Sequence, residues 1–205
     1  MIIRPYTLAD YTDVTEIMYE AFGPVIPTLK GMEEDKAKII MQDIGFVPKT
    51  PHEGFYIAED QEGVLGFIVF VHSAQVHRKK DDGLALSKAI QKHGLSTVLK
   101  NVFTALCFQY EPPAFACYID MIAVKPSARG KGVGSKLLKK AEDMANEVHH
   151  VTTMELQVLG DNPRAKALYE RLGYTDRQVV NSWLSEKLAG IEGWTHMQKK
   201  IKPVG

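Results

Sequence analysis

One short stretch limits the fold more than any other. Arg129-Gly130-Lys131-Gly132-Val133-Gly134-Ser135 sits between a β-rich run and an amphipathic helix. Glycine lets a backbone enter left-handed turns and approach a ligand closely. The first amides of a helix have no intrahelical partner and lie at the positive end of its dipole, so such a turn is a seat for an anion. Arg129 and Lys131 add charge suited to a pyrophosphate. Two common phosphate loops fail on spacing. A P-loop opened by Gly130 needs glycine where Ser135 stands. A dinucleotide fingerprint needs Gly-x-Gly-x-x-Gly near a first strand, whereas Gly130, Gly132 and Gly134 alternate deep in the chain. The plain alternative is a glycine-rich connector that holds nothing.

The rest of the chain places this turn in an α/β frame. Residues 2–4 read as a short edge strand. Thr7 and Asp10 form a capping-box pattern, and Val14, Ile17, Met18 and Ala21 follow one helix face until Gly23-Pro24 and Pro27. Residues 32–44 suggest a second helix, and residues 55–59 and 64–71 a hairpin about Asp60-Gln61-Glu62-Gly63. Residues 115–124 read as the strand before the glycine turn. After it, Val133, Leu137, Leu138, Ala141, Met144, Ala145 and Val148 share one helix face. Residues 153–159 form the next strand. Asn162-Pro163 starts a short helix, with Asn as N-cap and Pro in the first turn, and Gly173 ends it. Residues 176–180 and 194–201 complete the strands. A strand–helix–strand unit implies parallel neighbours with a ligand at their carboxyl ends.

Composition narrows the class. Twenty-five basic and twenty-five acidic side chains balance to a formal charge of zero, and phosphate-backbone binding relies on cationic excess, so a nucleic-acid partner is not expected. Cys107 and Cys117 form neither a disulfide framework nor a metal pair. The histidines, among them His72, His77, His149, His150 and His196, make no ligand constellation, so no metal is expected. The start lacks the pattern of a signal peptide, and no apolar run reaches the roughly 20 residues of a membrane span. A cytoplasmic chain with no membrane span is the expectation.

Ile122-Ala123-Val124-x-Pro126 followed by Arg129-Gly130-x-Gly132-x-Gly134 resembles the signature of the GNAT superfamily of acyl-CoA N-acyltransferases. A second block agrees in order and spacing: Leu156-Gln157-Val158, Asn162 to Ala165, Leu168-Tyr169-Glu170 and Leu172-Gly173-Tyr174. Weaker similarity at Arg4-Pro5 and residues 64–70 extends it over most of the chain. The resemblance implies a mixed, mostly antiparallel sheet flanked by helices. Its parallel strands at 118–124 and 153–159 splay apart to hold acetyl-CoA. It implies pantetheine contacts at Ile122, Ala123 and Val124, pyrophosphate binding by Arg129, Gly130, Lys131, Gly132, Val133, Gly134 and Ser135, and a further contact at Asn162. In any α/β protein the strand residues would also be core, and Asn162 would also be a cap.

The implied reaction is acetyl transfer to a primary amine, small or peptide-borne, by direct attack in a ternary complex. The alternative is an acyl-CoA sensor without turnover. Tyr169 matches the position that serves relatives as general acid toward the thiolate, and would otherwise be a core aromatic. Asp120, expected to share strand parity with Ile122 and Val124, is the leading base, with Glu155 second. Gln157 stands where some relatives carry a catalytic glutamate, and an amide cannot take the proton.

Residues 74–113 break the rhythm and read as a helical insertion in a single domain spanning 1–205. Within it, Arg78 to Asp82 form a charged link, residues 84–93 look helical, and Leu95, Val98, Leu99, Val102, Phe103 and Leu106 form an apolar stripe. Such a stripe must be covered. It could pack on its own domain, form a homodimer contact or rest on a membrane surface. The expectation is that it shapes the acceptor side of the cleft.

Overall fold

The computed structural model describes residues 1–23, 26, 29–47, 49–72, 86–107, 110–148, 150–160, 162–181, 183, 186–187 and 193–201. The charged link at 78–82, Leu84, Pro24, Pro27, His77 and His149 lie outside the described residues. So do the side chains of Leu106 and Cys107.

Among the described residues seven strands form one sheet: β1 (Ile2–Pro5), β2 (Phe55–Asp60), β3 (Gly63–His72), β4 (Ala116–Val124), β5 (Thr153–Leu159), β6 (Thr175–Asn181) and β7 (Gly193–Lys200). Their spatial order is β1-β2-β3-β4-β5-β7-β6, so the last strand in the chain slots between β5 and β6. Only β4 and β5 run parallel; the other pairs are antiparallel. The mixed, mostly antiparallel sheet expected from sequence is the one observed.

Helices cover both faces. On one, α1 (Tyr11–Phe22) and α2 (Glu34–Asp43) bury Val14, Ile17, Ile40 and Met41 against Phe55, Ile57, Phe67 and Val69. Asp10 caps this entry, accepting from the Thr7 amide at 2.8 Å and from Arg4 at 2.7 and 2.8 Å. On the other face, α5 (Val133–Glu147) buries Val133, Leu137, Leu138, Ala141 and Ala145. Leu137 and Leu138 alone are worth about 4 kcal/mol of transfer free energy before entropy. The short α6 (Pro163–Arg171) adds Tyr169 to this second cluster.

Between β3 and β4 stand α3 (Leu86–His93) and α4 (Leu95–Cys107). Ala89 and Val98 join the α1–α2 cluster, with Ile90 and Val102 packed against it. The apolar stripe is only in part the buried face of α4. Leu95 and Leu99 are each 56% exposed, while Val98, Asn101 and Thr104 are buried. Polar side chains can occupy that face because each bonds within its own helix: Asn101 to the Thr97 carbonyl at 2.8 Å, Thr104 to the Lys100 carbonyl at 2.9 Å. No described helix is long and apolar enough to cross a membrane.

Candidate active site

The parallel strands part early. Pairing of β4 with β5 runs from Ala116↔Thr153 to Ile119↔Leu156 and stops, although β4 continues to Val124 and β5 to Leu159. On its other edge β4 stays paired with β3 as far as Gly66↔Val124. The far half of β4 therefore has one edge without a β5 partner.

Ladder alternation decides which backbone groups line that edge. Lys125 donates to the Leu65 carbonyl, so Lys125 and, two residues back, Ala123 turn their peptide groups to β3. The Ala123 oxygen lies on the β3 side, 2.6 Å from where a Cβ on Gly66 would stand. Ile122 and Val124 turn theirs to the fork. Arg129 Nε already donates to the Val124 carbonyl at 3.3 Å, so a ligand using that oxygen must share or displace it. Of the three strand residues named from sequence, Ala123 contributes a small buried side chain and its main chain goes to β3.

Beyond the fork lies the glycine turn. Gly130 and Gly132 have φ of +77° and +78°, a region that costs other residues roughly 1–2 kcal/mol. Gly132 is the N-cap of α5, and no side chain caps the helix. The first helical bond is Lys136 to the Gly132 carbonyl, which leaves the amides of Val133, Gly134 and Ser135 without intrahelical partners. Space above Gly130 and Gly132 is open to 4 Å. Lys131 and Arg129 are exposed beside it. The seat fits a pyrophosphate in charge, donors and room. Asn162 is exposed, and its Oδ1 accepts from the Ala165 amide at 3.1 Å, so it does cap α6.

The same fork carries the residues read as acid and base. Asp120 is the extra residue of a β-bulge, since Val69 pairs with Met121 and Phe70 with Ile119. The strand parity expected for it does not hold. Cys117 and Ile119 share a cluster with Ile122 and Val124, so facing slips by one at Asp120. A bulge re-aims its side chain away from the regular alternation, and no sequence pattern announced it. Tyr169 is 7% exposed, and burial pushes its phenol up to about 12. Burial first, then Asp120, Tyr110, Glu155 and Tyr169, hold the Tyr118 phenol protonated.

The wall opposite the α5–α6 side was not read from sequence. Glu155 is buried with both oxygens engaged. Oε2 accepts from Tyr110 Oη at 2.6 Å and Oε1 from Arg177 Nη1 at 2.7 Å. Tyr110 follows α4 in the chain, and its ring packs 4.9 Å from Tyr118 and 5.2 Å from His196. Burial, then the Glu155 bond, raises the Tyr110 phenol. Next to this group, Trp194 Nε1 donates to His196 Nε2 at 3.1 Å, and Gln157 Nε2 lies 3.2 Å from the same nitrogen. Burial lowers the His196 pKa, so its ring is neutral at pH 7. These residues come from an insertion and three strands. Period-2 patterning on β5 and β7 would have put Glu155, Gln157, Trp194 and His196 on one face. Only pairing of the two strands brings them together.

The acetyltransferase (GNAT) family model matches residues 103–174. An uncharacterized N-acetyltransferase of Methanocaldococcus jannaschii is 32% identical over 186 residues, 91% of this chain and 85% of that one. A bovine thialysine N-epsilon-acetyltransferase is 39% identical over 66 residues, 32% of this chain and only 38% of its own length. The matched part thus spans well under half of that relative. Among solved structures, an N-acetyltransferase of Staphylococcus aureus superposes with TM-score 0.67 at 18% identity, covering 97% of this chain and all of that one. A Salmonella typhimurium protein solved with its cofactor acetyl-CoA gives 0.58 at 18% identity, covering 100% and 96%.

Proposed function

The chain belongs to the acetyltransferase (GNAT) family, and from that premise we propose that it transfers the acetyl group of acetyl-CoA to a primary amine by direct attack in a ternary complex. The observation that carries the reading is the fork. Where β4 and β5 part, one end offers open amides beside Lys131, and at the other Tyr118 interacts electrostatically with Asp120, Tyr110, Glu155 and Tyr169. The amides of Val133, Gly134 and Ser135 take the pyrophosphate. Peptide groups of Ile122 and Val124 pair with the pantetheine arm, which points the thioester toward Tyr169.

The chemistry assigned to these side chains is modest. A lysine-like amine is only about 0.04% neutral at pH 7, a penalty of roughly 4.6 kcal/mol. Asp120, directly or through water, takes the extra proton of the ammonium, and the neutral nitrogen then attacks the thioester carbonyl and loses its second proton by the same route. The new C–N bond forms, the C–S bond breaks and the thiolate departs. With a phenol near 12 and a thiol near 8.5, full proton transfer from Tyr169 is uphill by roughly 5 kcal/mol. Tyr169 therefore acts by donating a hydrogen bond to the developing sulfur anion rather than by giving up its proton early. Glu155 is a weaker choice of base, because Arg177 and Tyr110 hold both of its oxygens.

Cys117 supports direct transfer over a route through its own acyl-enzyme. It is 1% exposed and burial pushes its thiol up to about 12, so it supplies no thiolate. The experiment is to follow free thiol release from acetyl-CoA across a panel of amines, thialysine and short peptides among them. Amine-dependent release is expected. Tight acetyl-CoA binding with no release for any amine would instead mark a sensor.

A further inference from the structure

Resting on the reading of the fork as an amine-acetylation site, we propose that Gln157 Oε1 is the group that accepts an N–H of the incoming amine, held in position by His196 and Trp194. Gln157 is the first residue of β5 past the last β4 pair, Ile119↔Leu156, so it stands at the mouth of the fork. Its cross-strand neighbour on β7 is His196, and that of Leu159 is Trp194.

Hydrogen-bond chemistry fixes the amide's orientation one step at a time. An indole nitrogen can only donate. Trp194 Nε1 lies 3.1 Å from His196 Nε2, so that imidazole nitrogen must be an acceptor and the ring proton must sit on Nδ1. Gln157 places a side-chain atom 3.2 Å from the same Nε2. That atom is the NH2 end, sharing with Trp194 the single lone pair of Nε2, because a carbonyl oxygen there would face that lone pair. The Gln157 oxygen is thereby turned away from His196. It is buried and has no hydrogen-bond partner among the described residues. A buried acceptor left unpaired is costly, and the natural partner at a fork that receives an amine is an N–H.

The balance of the reaction leaves such an N–H available. A neutral primary amine carries two hydrogens. One goes to the base as the C–N bond forms, and the other stays on nitrogen in the amide product. Gln157 holds the hydrogen that stays and never takes a proton. A glutamate here could compete for the leaving proton; a glutamine cannot. His196 and Trp194 are positioning residues, which touch no substrate and act by choosing which end of the amide faces it.

The test uses stable mimics that need no turnover. S-carboxymethyl-coenzyme A is made as its n-butyl amide and as its n-butyl ester, which differ by one N–H. The parent protein should bind the amide about tenfold more tightly than the ester. Gln157→Leu should bind both alike at the ester's affinity, with coenzyme A affinity unchanged. Trp194→Phe, which frees the His196 tautomer, should reduce the amide preference without abolishing it. Nitrogen-15 spectra should place the His196 proton on Nδ1 in the parent and in Gln157→Leu. Equal binding of amide and ester by the parent would overturn the proposal, as would a Gln157→Leu variant that loses only thermal stability and keeps the ratio. Failure of coenzyme A itself to bind would defeat the functional reading and not this assignment alone.

Discussion

The two ends of the fork are built by different means. The proposed cofactor end is one continuous run, Val124 to Ser135, in which strand, turn and helix follow each other along the chain. Its parts are mostly backbone: two glycines in the left-handed region and three amides freed by helix geometry. The proposed acceptor end gathers Tyr110, Glu155, Gln157, Arg177, Trp194 and His196 from separate elements, joined through side chains. Backbone recognition constrains sequence tightly, because φ near +78° favours glycine over other residues by roughly 1–2 kcal/mol. Side-chain recognition can be rebuilt residue by residue. One end is suited to an unchanging cosubstrate and the other to a variable acceptor.

The largest effect should come from breaking the cofactor end. Gly132→Asp adds a side chain in the left-handed region and a negative charge at the anion seat. Acetyl-CoA affinity should fall at least about 100-fold, read by calorimetry, which corresponds to about 2.7 kcal/mol. The His196 resonances of the acceptor wall should stay where they are. A variant with parental affinity would remove this turn from the site.

Next in size is Tyr169→Phe. It should lower kcat about 10- to 100-fold while the acetyl-CoA KM stays within a few-fold, since only the late hydrogen bond is lost. The pH profile adds a check on sign. A phenol must be protonated to donate, and this one stays so up to about 12 instead of 10. Activity should thus climb with amine deprotonation past pH 9 and show no fall near pH 10. Asp120→Asn should lose about tenfold at pH 7 and recover toward pH 10, where the amine is already neutral. A loss equal at every pH would take Asp120 out of the reaction.

Smaller effects belong to the acceptor wall. Arg177→Met leaves the buried Glu155 with Tyr110 alone, which should cost roughly 1–3 kcal/mol of stability. The acceptor KM should rise several-fold and that for acetyl-CoA should not. His196 has its pKa lowered by burial, so the unfolded chain binds its proton first. Its stabilising contribution is complete above the unfolded value of about 6.5 and is lost as pH falls through the folded value. His196→Gln should flatten that part of an acid-melting curve. At the bottom of the scale, Leu99→Ser on the exposed side of α4 should change melting by no more than about 0.5 kcal/mol, and Val98→Ala beneath it by 1–3.

The same contrast explains what sequence made legible. The helix face from Val133 to Ala145 and the Thr7–Asp10 capping box just before α1 follow fixed local spacing, so they could be read from sequence alone. The bulge at Asp120 could not: one extra residue on β4 is defined only against β3. The α4 stripe held in part: Val98 and Val102 pack on the core, but Leu95 and Leu99 obey helical period yet face outward, while Asn101 and Thr104 bury their polar groups by bonding back to their own helix. The slot of β7 between β5 and β6 was equally hidden, and with it the meeting of Gln157 and His196.

The central claim is that the fork moves an acetyl group from a thioester to an amine. Mass spectrometry of the amine panel after incubation with acetyl-CoA and protein tests it most directly, with free thiol counted in parallel. One acetyl group gained per thiol released, on at least one amine, and at a rate cut at least tenfold in Tyr169→Phe, is the predicted result. Thiol release without an acetylated amine, or no acetylation above the rate without protein while acetyl-CoA binds tightly, would contradict it.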